Sequence, residues 1–220
     1  MTSGKQTEFE ASASSESLLS RAYSLSSPED AKDLYRDWAQ TYDHHLEAGL
    51  HYQGPEKIAD MLASVLEQKS SRVIDIGCGT GLVGQYLSSR GFSKIDGLDF
   101  SPEMLAVARS KSIYQELLEA DLEKTLKIDP RSYEGAICCG TFTHGHVGPG
   151  ALRQIFPILQ DHAPFACTIH AHLWYEAGFE RTLLELEADG VMSIEKIRDE
   201  AYFEGKEAEG KFCIFRKNPQ

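Results

Sequence analysis

The sequence predicts an α/β protein built on a doubly wound, mostly parallel sheet of seven strands. Short apolar runs typical of buried strands alternate with helical patterns from residue 73 onward, as expected of strands joined by helical crossovers. The first run leads directly into the glycine-rich turn Gly77-Cys78-Gly79-Thr80-Gly81. The last two strand patterns, 192–203 and 211–217, are joined by a short polar turn, which predicts a C-terminal antiparallel hairpin at the end of the sheet.

The N-terminal region predicts a tail followed by two helices. Residues 1–27 are rich in Ser, Thr, Glu and Ala and hold few large apolar side chains, so they are expected to be a disordered tail. Residues 28–220 are expected to form a single domain. Its first helix begins at Ser27-Pro28-Glu29-Asp30, where Ser caps the N-terminus and Pro fits the first turn, and the second begins at Pro55. The first helix carries an aromatic stripe that fits either a core or a cover over a ligand: Leu34, Tyr35, Trp38 and Tyr42.

Five strand patterns and their connecting helices fill residues 73–170. The run at 136–140 is entirely apolar, as expected of a strand buried on both faces of a sheet. The strand patterns cover residues 73–76, 94–99, 117–122, 136–140 and 165–170. Helices are expected to begin at Leu82 and at Pro102, where Ser101 is the cap, and to cover residues 151–159 and 175–188.

The composition narrows the classes of partner. The chain holds 22 Lys and Arg residues against 34 Asp and Glu residues, a formal net charge of −12. Because binding to a phosphate backbone needs clustered cations, we expect no nucleic acid as a partner and no adsorption to an anionic membrane. The expected partner is a small-molecule substrate, neutral or cationic, bound by a monomer or homodimer.

Five cysteines, at positions 78, 138, 139, 167 and 213, lie mostly in apolar, strand-like runs. No C-x-x-C spacing occurs, so neither a zinc ribbon nor a redox pair is indicated. Free, buried thiols in a reducing compartment are expected instead. The sequence has no apolar run long enough to span a membrane and no secretion signal at its N-terminus. These observations predict a cytoplasmic protein.

The strand, tight turn and helix start that follow Val73 place backbone N–H groups where they can face a polar ligand. Two motifs overlap in this stretch. Gly79 to Gly84 fits the dinucleotide pattern G-x-G-x-x-G, with Asp99 about twenty residues on for a ribose hydroxyl. This shorter pattern favours a NAD-dependent oxidoreductase. Read from Asp75, the same residues give the longer string D-x-G-x-G-x-G.

The longer string resembles motif I of the class I S-adenosylmethionine (SAM)-dependent methyltransferases, whose sheet is Rossmann-like. Residues 97–105 (GLDFSPEML) resemble the second-strand motif of this family, and Ala120-Asp121-Leu122 resembles the third-strand motif. Residues 35–43 (YRDWAQTYD) and 140–148 (GTFTHGHVG) resemble the small methyltransferase-like proteins typified by the Williams–Beuren region methyltransferase. The resemblance implies a SAM-dependent methyltransferase in which the N-terminal helices, residues 28–70, act as a helical lid.

The resemblance also implies a set of cofactor-binding residues. Asp99 is expected to accept hydrogen bonds from both ribose hydroxyls, and Asp121 to meet the adenine amino group. Asp75 is expected to fix the turn near the amino group of the methionine part. Tyr35 and Tyr42 are expected near the sulfonium, since aromatic faces attract cations. The full set is Tyr35, Tyr42, Asp75, Gly77, Cys78, Gly79, Asp99, Phe100, Met104, Asp121, Leu122 and Cys139.

Methyl transfer is an in-line attack on a sulfonium carbon, and positioning of the reactants can supply much of its acceleration. If the acceptor is a hydroxyl or thiol, a base helps, and His146 and then His144 are the candidate catalytic residues after the fourth strand. H-x-H occurs twice, but no carboxylate lies at a telling spacing, so no metal is expected. We therefore expect transfer to an O, S or N atom of a small molecule. The alternatives are a NAD-dependent oxidoreductase and a non-methylating SAM-binding member, either an isomerase or a binding module.

Overall fold

The computed structural model describes residues 50–143 and 147–220, the segment 41–46, and five single positions: Ser17, Ser20, Arg21, Leu34 and Ala39. Ser17, Ser20 and Arg21, within the expected tail, are helical and exposed. Most of the expected tail and first helix lie outside the described residues. Four side chains that the sequence singled out are also outside them: Tyr35, Trp38, His144 and His146.

Within the described ranges, seven strands form one sheet in the order β3-β2-β1-β4-β5-β7-β6. They are β1 (Arg72–Ile76), β2 (Lys94–Asp99), β3 (Leu117–Glu119), β4 (Gly135–Phe142), β5 (Pro164–His170), β6 (Met192–Glu200) and β7 (Gly210–Lys217). The first five run parallel to one another, whereas β7 pairs antiparallel with both β5 and β6. The predicted parallel sheet with a C-terminal antiparallel hairpin is confirmed.

The described helices are α1 (Tyr42–His44), α2 (Gly54–Val65), α3 (Leu82–Ser89), α4 (Pro102–Ser110), α5 (Leu152–Ile155), α6 (Ala171–Glu176) and α7 (Phe179–Ala188). Helix α4 begins as predicted, because Ser101 Oγ accepts a hydrogen bond from the Met104 N–H at 3.2 Å. Two predicted helices are interrupted. In the first, 3₁₀ turns flank α5, and Pro157 lacks the N–H that an α-helix would need there. The second divides into α6 and α7 at Gly178, whose φ is +81°.

The segment between β6 and β7 packs on the N-terminal part of the domain. The predicted strand 192–203 ends at Glu200, and the chain then turns toward residues 51–54. The N–H groups of Gln53 and Gly54 donate to the Tyr202 carbonyl at 2.7 and 3.2 Å. These bonds tie the start of α2 to the hairpin, a contact that the sequence pattern did not indicate.

The strand order places a crevice at the carboxyl ends of β1 and β4. From β1 the chain continues to β2 and β3 on one side of the sheet, whereas β4 and β5 lie on the other. In open α/β sheets, ligands bind at this switch point. Apolar side chains cover both faces, with Ile74 and Phe165 in one core cluster and Ile137 and Phe212 in the other. The strands that carry the crevice are therefore held between two packed layers.

Candidate active site

The glycine-rich turn between β1 and α3 forms one wall of a cavity. Gly77, Gly79 and Gly81 have φ angles of +66°, +52° and +93°, a region that favours glycine. A Cβ on Gly77 would lie 2.0 Å from Thr141 Oγ1, so this glycine is packed against β4. At Gly79 no atom of the described chain lies within 4 Å of the Cβ position. The Gly79 backbone is therefore open to the cavity that it lines.

Asp99 holds the turn from the end of β2. Its side chain is buried, with Oδ2 accepting a hydrogen bond from the Gly79 N–H at 2.8 Å and Oδ1 accepting one from the Ser101 N–H at 2.9 Å. Burial raises the pKa of this carboxyl, and the backbone N–H groups that point at it act in the opposite direction. Each oxygen keeps acceptor capacity for a further partner, because a carboxylate offers about four lone-pair positions.

The cavity measures about 850 Å³ when the space open to solvent is included. It lies at the carboxyl ends of β1, β2 and β4, beside the short strand β3. The structure brings nine of the expected cofactor residues to its wall: Tyr42, Gly77, Gly79, Asp99, Phe100, Met104, Asp121, Leu122 and Cys139. Six further lining residues lie outside the expected cofactor set: Leu98, Ala120, Glu123, Gly140, Thr141 and Val147. Several of them are sequence neighbours of expected residues, and this adjacency is the signal from which they could have been predicted.

Two expected cofactor residues, Asp75 and Cys78, do not line the cavity. Asp75 lies behind the turn and is fully buried, so it does not reach a ligand in the cavity. Burial raises the pKa of its carboxyl to about 7, against the opposing effect of a hydrogen bond from Tyr114. The Cys78 side chain points at β2, where a Cβ on Gly97 would lie 2.9 Å from its sulfur. Both residues therefore support the turn from behind.

Tyr114 also supports the glycine-rich turn from behind, and the sequence pattern did not indicate this role. Its hydroxyl donates to Asp75 Oδ2 at 2.7 Å. A Cβ on Gly84 would lie 2.4 Å from the same hydroxyl, and one on Gly97 would lie 3.1 Å from the ring. The last glycine of the G-x-G-x-x-G pattern is thus needed to make room for a tyrosine. This packing explains the glycine without any dinucleotide.

Asp121 lines the cavity after β3 and also stabilises the turn that follows. It accepts a hydrogen bond from the Glu123 N–H at 2.9 Å and pairs with Lys124 at 2.9 Å. Its burial favours a higher pKa, but the Lys124 and Glu123 hydrogen bonds outweigh that effect and lower the pKa of the carboxyl. Glu123 in turn accepts a hydrogen bond from the Gly148 N–H at 3.0 Å, which ties this turn to the far end of the loop after β4.

Cys139 brings a thiol to the cavity from β4. Its sulfur lies 3.3 Å from the Tyr52 hydroxyl. Burial raises the pKa of the Cys139 thiol to about 12, with the Tyr52 and Thr168 hydrogen bonds opposing that rise. A thiol with such a pKa is protonated near neutral pH and is a poor nucleophile. Cys139 therefore shapes the wall of the cavity.

The histidines after β5 do not line the cavity. His170 Nδ1 accepts a hydrogen bond from the His172 N–H at 3.3 Å, which caps α6. His172 pairs with Glu176 at 2.9 Å on the exposed face of the same helix. In the described part of the chain, no group of three or more His, Cys, Asp or Glu side chains could hold a metal ion. Nor do the described helices include one long and apolar enough to cross a membrane.

Comparison with known proteins identifies relatives of this chain. A family model described as a methyltransferase domain matches residues 73–162. Human methyltransferase-like protein 27 is 30% identical over 165 residues, which are 72% of this chain and 66% of that protein. The bovine 18S rRNA (guanine-N(7))-methyltransferase is 37% identical over 76 residues, 34% of this chain and 27% of that protein. The chain thus spans just under two thirds of the first relative and about a quarter of the second.

Solved structures support the fold. The crystal structure of a putative SAM-dependent methyltransferase from Methanococcus maripaludis superposes with a TM-score of 0.60 and 18% identity. The match covers 86% of this chain and 94% of that protein. This likeness shows that the chain has a Rossmann-like fold.

The prediction that nucleic acids are excluded as partners is wrong. Relatives that match about a third of the chain are named as 18S rRNA methyltransferases, in cattle, yeast and Arabidopsis. The expectation rested on the net charge of −12. That value is a sum over the whole chain and does not determine the electrostatic potential at any one part of the surface. Net charge is therefore insufficient to exclude this class of partner.

Proposed function

Because the chain belongs to the class I SAM-dependent methyltransferases, we propose that it transfers a methyl group from SAM to an O, S or N atom of a small-molecule acceptor. SAM is the cofactor of this family. The observation that carries the proposal is the single cavity in which Asp99, the open Gly79 backbone and an apolar wall meet. The cavity is also lined by Thr141, near the end of β4, and by Val147, and we expect the acceptor to approach from this side.

The residues around the cavity fit the parts of SAM. Asp99 keeps acceptor positions on both oxygens for the ribose hydroxyls. Asp121 offers an acceptor to the adenine amino group, and the open backbone at Gly79 suits a carboxylate. Apolar faces for the adenine ring come from Phe100, Met104 and Leu122. When bound, SAM supplies a methyl group on a cationic sulfur.

The remaining work of the protein is to position the acceptor and exclude water. Tyr42 lines the cavity beside the turn, and we assign the helices of residues 28–70 the role of a lid. His146 is our candidate base for a hydroxyl or thiol acceptor, with His144 as the second choice. Cys139 is unsuited to that role, since burial keeps its thiol protonated. If His146 is the base, its replacement by Ala should reduce turnover by roughly 10²–10⁴ and leave SAM affinity unchanged.

A base of an RNA is the second candidate acceptor. The observation that favours it is the 37% identity to the bovine 18S rRNA (guanine-N(7))-methyltransferase over 76 residues. Those residues correspond to only 27% of that protein, so most of the rRNA enzyme has no counterpart in the match. The small-molecule acceptor remains our first choice because the match to the rRNA enzyme is limited to about a quarter of that protein.

The test is incubation of the full chain with methyl-labelled SAM and two separate acceptor pools, a metabolite extract and ribosomal RNA. Label in a small molecule is the expected result, and the Asp99→Asn variant should give much less of it at a limiting SAM concentration. Label in RNA alone would overturn the first choice in favour of the second. Binding of SAM without any labelled product would favour a non-methylating member of the family, either an isomerase or a binding module.

We also propose a cytoplasmic location and a monomeric or homodimeric state. All five cysteines are free, and Cys139 is the least buried of them, which suits a reducing compartment. Fractionation of cells and sedimentation of the purified chain would test the two statements.

A further inference from the structure

Asp43 ends the segment 35–43 that the sequence analysis singled out, and methyl transfer as proposed above gives it no role. Its carboxylate has two partners. Oδ1 accepts a hydrogen bond from the Thr80 hydroxyl, and Oδ2 accepts one from the Lys111 amine at 2.5 Å. The same amine donates to Gln85 Oε1 at 2.7 Å. One carboxylate therefore joins α1 to the glycine-rich turn and, through Lys111, to α3 and the end of α4.

These contacts are sheltered from solvent. Thr80 is buried, and the side chains of Lys111 and Asp43 are 15% and 28% exposed. Hydrogen bonds with an ionised partner are stronger than neutral ones. Partial burial also reduces the screening by salt that weakens surface ion pairs. The three side chains therefore form a stronger connection than an ion pair on an open helix surface.

The connection meets the cavity from two sides. Tyr42, the neighbour of Asp43, lines the cavity. Thr80 stands in the turn between Gly79, whose backbone lines the same cavity, and Gly81. A shift of the turn would move the Thr80 hydroxyl and, through Asp43, the Tyr42 side chain. The position of α1 is thus coupled to the conformation of the turn.

We propose that Asp43, Thr80 and Lys111 form a latch that holds Tyr42 against the bound cofactor, with Asp43 and Lys111 as positioning residues. The latch rests on the proposed function, in which the ligand of the cavity is SAM. Linkage requires that a latch which strengthens SAM binding is itself strengthened by SAM to the same extent. Loss of the latch should therefore weaken SAM binding without changing the chemistry at the methyl group.

Calorimetric titration of the full chain with SAM tests the latch. Asp43→Asn and Lys111→Met are each expected to weaken SAM binding roughly five- to thirtyfold. The double variant should bind SAM no more weakly than the single variant with the lower affinity, because both substitutions break the same connection. Lys111→Arg keeps the charge and should restore most of the affinity. Asp60→Asn is the matched control, since it breaks the Asp60–Arg90 pair at 2.5 Å outside the cavity and should keep wild-type affinity.

Hydrogen exchange separates a latch from a contact that only stabilises the fold. Residues 41–46 of the wild type should gain protection when SAM is added, and Asp43→Asn should lose that gain while the strands of the sheet keep their protection. Wild-type affinity and protection in Asp43→Asn, or fully additive losses in the double variant, would overturn the latch and leave the proposed function standing. A wild-type chain that binds no SAM would overturn the proposed function itself.

Discussion

At the scale of single residues, Asp99 makes the most direct contribution to the proposed cofactor site. It fixes the turn through the Gly79 N–H at 2.8 Å while lining the cavity. Asp99→Asn keeps the side-chain volume but removes the charge and turns one acceptor into a donor. SAM binding should weaken roughly ten- to hundredfold, since a hydrogen bond to a charged group contributes about 1.5–3 kcal/mol. Calorimetry measures the change, with the exposed Asp129→Asn as control, and unchanged affinity in Asp99→Asn would remove Asp99 from the site.

Asp75 and Tyr114 imply a pH dependence of stability. Burial raises the pKa of Asp75 to about 7, and the Tyr114 hydrogen bond opposes that rise. An acid whose folded pKa exceeds its unfolded value, about 3.9, binds more protons in the folded state. The free energy of unfolding therefore falls as pH rises between those two values. Tyr114→Phe removes the opposing bond, so it should raise the Asp75 pKa further and extend the fall to higher pH.

Urea unfolding at about pH 5 and about pH 8 measures this effect. Tyr114→Phe should cost roughly 1.5–3 kcal/mol at the higher pH, where the bond reaches a carboxylate, and less at the lower pH, where Asp75 is protonated. In an Asp75→Asn background, which cannot titrate, the same substitution should cost the same at both pH values. Equal costs in the presence of Asp75 would show that the bond to its charged form is unimportant.

At the scale of elements, the predictions that were confirmed depend on signals only a few residues apart. Ser101 and Pro102 mark the start of α4, and the glycines after Ile76 separate β1 from α3. The interrupted helix at Gly178 could not be predicted, because a glycine in a helical pattern takes a positive φ only when packing requires it. Long-range partners were equally hidden, since Tyr114 meets Asp75 across 39 positions of sequence.

The N-terminal region gives a prediction at this scale. Removal of residues 1–24 should leave the melting temperature and SAM affinity unchanged, because the composition offers little to bury and the described residues there are exposed. Removal of residues 1–43 also takes away Tyr42 and Asp43, so SAM binding should weaken roughly tenfold or more. Thermal unfolding and calorimetry on both truncated chains provide the measurement. Equal effects of the two truncations would mean that the domain begins elsewhere than residue 28.

At the scale of the whole molecule, motif spacing pointed to residues that line one cavity, whereas composition wrongly excluded a class of partner. Asp99 and Asp121 follow successive parallel strands, whose carboxyl ends must meet at one edge of the sheet, and both line the cavity. Asp75 shares the motif but lies inside β1, where successive side chains point to opposite faces of the sheet, and its side chain meets Tyr114 behind the turn. The net charge of −12 does not say where on the surface the charged residues lie, so it could not exclude a class of acceptor.

One titration tests the central claim that the cavity at the carboxyl ends of β1, β2 and β4 binds SAM. Calorimetry of the full wild-type chain with SAM, and separately with NAD⁺ at the same concentrations, compares the two ligands that the glycine-rich turn suggests. We expect one SAM site per chain, no detectable binding of NAD⁺, and SAM binding roughly ten- to hundredfold weaker in Asp99→Asn. Tight binding of NAD⁺ without any binding of SAM would contradict the claim.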